Sequence, residues 1–275
     1  MTESELHKKR AEALSAARKR VVRRLILGVV GVGIFLGVWI AITRFELIDR
    51  RLIATPWETI LELIRKNYDH RPDGQFLITH IGASLVVALS GFGLAVLVGV
   101  PLGLLMGWYR LIDRFVGPVF EILRPLPPIA WIPFTVIFLG IGLFAKSAII
   151  FLSAFIPSLI NSYTGIRLTN QVYINVSTTC GASRWTTFWR IGIPSALPMI
   201  FAGIRISLGN AWSTLVAAEM LASNRGLGYM IIMGRNFYRV DLIIAGMLAI
   251  GILGILFTTL FERIEKRVLK WRTVK

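Results

Sequence analysis

The sequence predicts an all-α membrane protein with six transmembrane helices, and three observations carry that reading. Of its 275 residues, 55% are hydrophobic and 17% charged, and the mean hydropathy is +0.67. Soluble domains average about 45–50% apolar and about 25% charged residues. Uncharged runs recur at the length needed to cross a bilayer, about 20 residues of helix. The 31 Lys and Arg, against 15 Asp and Glu, cluster at the ends of those runs, which points to a membrane topology rather than to nucleic acid. The single Cys180 excludes an intrachain disulfide, and three scattered histidines argue against a Cys/His zinc site.

The segment 1–24 reads as a basic N-terminal helix facing the cytoplasm, without the cleavage site of a secretory signal. The six-span bundle occupies 25–261, and 262–275 is a basic cytoplasmic tail. Spans one and two lie near 25–43 and 81–109, both free of charge. Spans three and four, near 126–145 and 147–165, flank Lys146, which leaves room only for a tight hairpin. Span five, near 191–218, is interrupted only by Arg205, and span six is an uncharged run near 242–261. Six spans put both termini on one side. With the termini inside, the inner segments hold 20 Lys and Arg and the outer ones 10. The positive-inside rule therefore places both termini in the cytoplasm.

Between spans one and two, Thr55-Pro56-Trp57-Glu58 has the form of a capping box with proline at the first helical position. Trp57, Ile60, Leu61 and Ile64 then follow a helical period, giving a short amphipathic helix. It either lies on the outer membrane surface or packs on the external end of the bundle. Gly99, Gly103 and Gly107 in span two, and Gly33 and Gly37 in span one, recur every four residues, the spacing that lets helices approach closely in lipid. Pro118, Pro125, Pro127, Pro128 and Pro133 predict a broken, kinked entry to span three.

Catalytic constellations are missing. There is no G-x-x-x-x-G-K-[ST] phosphate cradle, no H-E-x-x-H, no G-x-S-x-G and no close pair of intramembrane carboxylates. Gly31-x-Gly33 is followed by Leu36 where a dinucleotide fingerprint needs glycine. The chain is expected to be no enzyme by itself.

Span five carries the informative polar groups. On a helical wheel Gly209, Trp212, Val216 and Glu219 fall within roughly 40° of Arg205, while Ser207, Asn210 and Thr214 lie on the opposite half. Ionisable residues in a bilayer face a partner or a watery cavity, so Arg205, Asn210, Trp212, Ser213, Thr214 and Glu219 are candidate path residues. The alternative is that Arg205 snorkels to the cytoplasmic surface and Glu219 ends the helix outside. The segment 165–194 is basic, apolar and aromatic at once, with Trp185, Phe188 and Trp189. A short helix near 172–181, stopped by Gly181 in the left-handed conformation that glycine tolerates, would form a docking device. The other reading is a loop folded back on its own bundle.

This segment resembles a known family. Asn175-Val176-Ser177, three residues, Gly181, nine residues, then Ile191-Gly192-Ile193-Pro194 is similar to the E-A-A, x3, G, x9, I-x-L-P cytoplasmic-loop motif of binding-protein-dependent ABC importer permeases. Glycine, isoleucine and proline match in register; Asn, Val, Ser and the second Ile replace the family's Glu, Ala, Ala and Leu. The stretches 124–133, 138–142, 203–219 and 225–228 are similar to the taurine, aliphatic sulfonate and nitrate permeases of that family.

The resemblance implies a type I importer with a MetI-like permease fold in the bacterial inner membrane. Its partners would be a second copy of this chain, two cytoplasmic ABC ATPase subunits, a periplasmic or lipid-anchored substrate-binding protein and membrane lipid, without nucleic acid. No cofactor would sit on this chain, since ATP and Mg belong to the ATPase. Asn175, Val176, Ser177, Cys180, Gly181, Ala182, Ser183 and Arg184 would couple to that ATPase. The solute would be a small anion or zwitterion such as taurine or an alkanesulfonate; nitrate, bicarbonate or a heterocyclic nutrient is the alternative. An ion-coupled secondary transporter would show internal repeats, which are not evident.

Overall fold

The computed structural model describes residues 3–49, 52–221 and 223–269, and every secondary-structure element among them is a helix. The chain divides into two compact units, 1–62 and 63–275.

In the first unit, α1 (Glu3–Arg44) joins the basic N-terminal segment and the first span into one uninterrupted helix. The Trp39 indole donates to the Ala54 carbonyl at 3.1 Å. At the start of α2 (Pro56–Arg65) the expected capping box is present in both directions: Thr55 N–H donates to Glu58 Oε2 at 2.8 Å, and Glu58 N–H to Thr55 Oγ1 at 3.2 Å. Trp57, Ile60, Leu61 and Ile64 are the exposed face of α2, while Thr59 and Glu62 are buried. That arrangement is inverted relative to a soluble amphipathic helix and suits a helix lying in a membrane interface.

The second unit is built around α6 (Leu143–Arg167), which packs against α3 (Leu77–Trp108) on one side and α9 (Ile193–Leu221) on the other. The predicted glycine stripe makes the first of these contacts. A Cβ at Gly91 would stand 2.6 Å from the Ser147 carbonyl oxygen, and at Gly99, Gly103 and Gly107 it would meet Phe155, Leu159 and Tyr163 backbone oxygens. Close backbones bring hydroxyls within reach: Ser90 bonds Ser147, Ser153 bonds Thr214 and Ser158 bonds Ser207, each at 2.7 Å. Gly33 and Gly37, by contrast, face open space.

The third crossing differs from its expected span, 126–145. It comprises α4 (Arg110–Leu123), a 3₁₀ turn at Pro128–Trp131 and α5 (Ile132–Leu139), two arms bent by 86°. Prolines 125, 127 and 128 remove donors and disfavour helix in the residues before them, which sets the bend. The segment 110–124, left between expected spans two and three, is helical: Leu111, Phe115, Val119 and Ile122 form an exposed apolar stripe. The hairpin to α6 also falls elsewhere. Gly140, at φ +71°, turns the chain before Lys146, which is buried inside α6 and donates to Ser223 Oγ at 2.8 Å. A satisfied lysine does not need to break a helix. Beyond α9, α10 (Leu227–Asn236) packs on α11 (Val240–Val268) through Leu227, Met230, Leu242 and Ala245. The tail helix continues to Val268, and residues 270–275 of the expected tail lie outside the described residues.

Including the described part of α1, five helices are long and apolar enough to cross a membrane, and the bent pair passes the same test as one crossing. Replacing Gly103 by leucine drives a side chain into the α6 backbone, so the detergent-solubilised protein should lose about 1–3 kcal/mol of stability. Gly33→Leu should stay within about 0.5 kcal/mol. Thermal unfolding of the two variants, followed by tryptophan fluorescence, checks the contrast.

Candidate functional sites at the two ends of the bundle

One end of the bundle carries the predicted docking segment. Asn170 caps α7 (Gln171–Thr179), its side chain accepting from Val172 N–H at 2.9 Å. Gly181 closes the helix at φ +77°. Its N–H donates to the Thr178 carbonyl and that of Ala182 to Ser177, both at 3.0 Å. This pair of bonds is a Schellman motif, and it explains why glycine stands at 181. No residue of α7 is buried. Val172, Tyr173, Asn175, Val176 and Cys180 are exposed, while Ile174 and Ser177 form the half-buried inner face.

Ser183 then caps α8 (Arg184–Thr187), accepting from Thr186 N–H at 3.2 Å, and Ser177 bonds Thr187 at 2.8 Å to fix α7 against α8. Half-buried Ala182 sits in the turn between them, and Arg184 is exposed. Phe188 roots the segment in the bundle: it is buried against Trp108, Tyr109 and Trp185, with ring centroids 5.5, 6.2 and 5.9 Å away. A π-helical turn at Phe188–Gly192 leads into α9. The eight predicted coupling residues thus form one continuous surface feature, a helix held out by caps at both ends.

The six predicted path residues are not brought together. Arg205, Asn210 and Ser213 lie on the open face of α9. The Arg205 guanidinium pairs with the Glu265 carboxylate of α11, so its charge is already met. Trp212, Thr214 and Glu219 are packed inward. The Trp212 indole rests on Phe257 and donates to the Ile250 carbonyl at 3.2 Å, and Thr214 belongs to the hydroxyl pairs with α6. The helical-wheel stripe fails because α9 is clasped between α6 and α11. Its polar positions are therefore shared between packing faces and the open one.

Glu219 belongs to a buried polar cluster at the other end, most of which sequence reasoning missed. Its carboxylate accepts from Ser84 Oγ at 2.8 Å and from Gly228 N–H at 2.9 Å. Ser84 Oγ in turn accepts from Leu227 N–H at 2.8 Å, and His80 Nδ1 from Gly226 N–H at 3.1 Å. With Nδ1 accepting, the imidazole proton sits on Nε2, 3.0 Å from Asp73 Oδ2. Asp73 Oδ1 pairs with Lys66, whose ammonium also donates to the Arg71 carbonyl at 3.1 Å. Lys66, His80, Ser84 and Glu219 are all fully buried. Two lysines, Lys66 and Lys146, balance two carboxylates, Asp73 and Glu219.

Gly226, at φ +125°, and Gly228 are demanded by this arrangement. A Cβ at the first would strike the Glu219 carboxylate, and at the second would stand 2.6 Å from the Val216 carbonyl oxygen. The sequence clue was the spacing Glu219 to Gly226-Leu-Gly228, but its partners His80 and Ser84 lie 146 and 135 residues away from theirs. Among the described residues there is no group of three or more His, Cys, Asp or Glu side chains able to hold a metal ion.

A bundle of helices long and apolar enough to cross a membrane, with a capped, exposed helix at one end, fits a transport subunit. The comparisons agree. Residues 99–273 match the family described as the binding-protein-dependent transport system inner membrane component. The taurine transport system permease protein TauC of Escherichia coli (strain K12) is 33% identical over 249 residues, covering 90% of each chain. The nitrate import permease protein NrtB of Leptolyngbya laminosa is 31% identical over 255 residues, covering 93% of this chain and 91% of that one. Among solved structures, the inward-facing MetNI methionine ABC transporter matches with a TM-score of 0.62 at 20% identity, covering 70% of this chain and 95% of that one, a likeness of fold. The chain belongs to the binding-protein-dependent permease family and is an ABC importer permease with the MetI-like fold, a multi-pass inner-membrane protein.

The Asp73 carboxyl gives this end a measurable signature. Burial pushes its pKa up, but hydrogen bonds from His80 and Lys66 outweigh that and hold it below the usual 3.8. A depressed folded value means that the stabilisation is complete above 3.8 and is lost as pH falls through the lowered value. Asp73→Asn should therefore be less stable than the parent at neutral pH, and the gap in thermal midpoint should close on acidification through that range.

Proposed function

We propose that two copies of this chain form the translocation pathway of an importer for a small anionic or zwitterionic solute, taurine or an alkanesulfonate. A periplasmic or lipid-anchored binding protein delivers the solute, and two separate ATPase subunits carry ATP and Mg. The observation that carries the reading is α7: a nine-residue helix without a buried side chain, capped by Asn170 and by left-handed Gly181, presenting Val172, Tyr173 and Val176 outward. Exposed apolar residues on a rigid helix suit insertion into a groove of another protein. In this reading α7 and both termini face the cytoplasm, in line with the 20 to 10 distribution of basic residues.

Arg205, Asn210 and Ser213 line the pathway along the open face of α9; Trp212, Thr214 and Glu219 support it from behind. The substrate class draws on relatives named for taurine and nitrate. It does not draw on Arg205, because Glu265 already neutralises that guanidinium. Selectivity rests with the binding protein.

Gly181→Val forces a β-branched residue into the left-handed region, at a cost of about 1–3 kcal/mol at the cap. ATPase assembly and binding-protein-stimulated ATP hydrolysis of the reconstituted complex should fall while the bundle still folds; unchanged coupling would refute the role of α7. Comparing that stimulation across binding protein loaded with taurine, an alkanesulfonate or nitrate identifies the solute, and a cationic ligand stimulating most would overturn the anion class. Arg205→Gln should keep solute uptake into proteoliposomes within about tenfold of the parent, since a tenfold change corresponds to about 1.4 kcal/mol, more than an exposed ion pair is worth.

A further inference from the structure

The end of the bundle opposite α7 contains an unusual joint. The first backbone N–H groups of a helix have no partner within it and need one from elsewhere. At α10 three successive donors, the N–H groups of Gly226, Leu227 and Gly228, are each taken by a side chain from another helix. His80 Nδ1 and Ser84 Oγ of α3 take the first two, and Glu219 Oε2 of α9 takes the third. A carboxylate at a helix N-terminus also meets the positive end of the helix dipole. On the other side, Lys146 of α6 holds Ser223, in the connection between α9 and α10. All three helices of the block α3–α6–α9 thus grip the α9–α10 connection, and they do so with polar groups.

A static joint at this depth is made as well by apolar packing, which carries no desolvation cost. Polar bonds differ in being exchangeable with water. A carboxylate, an imidazole and an ammonium released from one another into a hydrated path lose little, whereas in a sealed bundle they must hold each other. Within α9, the joint stands six residues beyond Ser213 of the open face, about 9 Å along the helix.

Building on the importer reading above, we infer that His80, Ser84 and Glu219 are positioning residues for the outer closure of the pathway. They fix the α9–α10 connection in the shut position when the α7 end is open. His80 is the key member, because its Nδ1 takes the first of the three N–H groups, that of Gly226.

The test uses the complete complex in proteoliposomes, with Cys180→Ser removing the native thiol and Ser213→Cys as reporter. An impermeant maleimide is applied from the side opposite the ATPase. Without nucleotide the parent should label slowly. His80→Leu and Ser84→Ala should each raise the labelling rate several-fold. His80→Asn, whose carboxamide oxygen replaces Nδ1 as acceptor for Gly226 N–H, should stay near the parent. Equal labelling in all variants would overturn the inference. So would His80→Asn labelling as fast as His80→Leu, or a failure of both His80→Leu and Ser84→Ala to assemble, since either marks a purely structural role. The importer reading is tested separately by the parent: trapping the ATP-bound state should increase its labelling, and no change in any nucleotide state would reject that reading whatever the variants do.

Discussion

Polar groups carried into a membrane have no water to turn to, so each must find its partner inside the protein. That constraint organises this molecule. The hydroxyls of Ser147, Ser153 and Ser158 on α6 are met by Ser90 on α3 and by Thr214 and Ser207 on α9. The first of those bonds is within reach because Gly91, Gly99, Gly103 and Gly107 let α3 come close to α6, and Gly165 and Gly203 allow the same close approach between α6 and α9. Small residues thus supply both the packing and the polar satisfaction, and the three helices become one block.

The same constraint separates what was legible in the sequence from what was not. Local devices were readable because their partners are near in the chain. The Thr55–Glu58 capping box, the Gly181 stop and the glycine stripe of α3 all stand where periodicity and residue type put them. Long-range pairings were not readable. Arg205 and Glu219 share a face on a helical wheel, yet one pairs with Glu265 on α11 and the other with Ser84 on α3. Charge also misled where it was satisfied: Lys146 read as a hairpin tip and proves to be an interior residue of α6, while the turn falls at Gly140. The bend between α4 and α5 was announced by its prolines, but not the helix α4 itself, because Arg110, Arg114 and Arg124 interrupt the apolar pattern of that segment.

Substrate identity lies outside the folding problem altogether. The residues that join α3, α6 and α9 along their length are mainly neutral hydroxyls, glycines and aliphatic side chains, which carry no record of the solute. The open face of α9 offers Asn210, Ser213 and an arginine whose charge is matched. In the proposed reading such a face would line a path without holding the solute tightly.

The arrangement of strong and exchangeable contacts suggests how one chain links its two ends. The helix α9 runs 29 residues from the π-helical turn beside Phe188 to Leu221, about 43 Å at the rise of an α-helix. Along that length it is bound to α6 by paired hydroxyls and so moves only with the block. At one end the block continues into α8 and α7 through the Phe188 aromatic cluster. At the other it meets α10 through the N–H groups of residues 226–228. In the importer reading, a displacement of α7 would be passed along this block toward the Glu219 end. The groups able to yield are the polar ones of that joint, once a hydrated path opens beside them, because water can then replace each bond they give up.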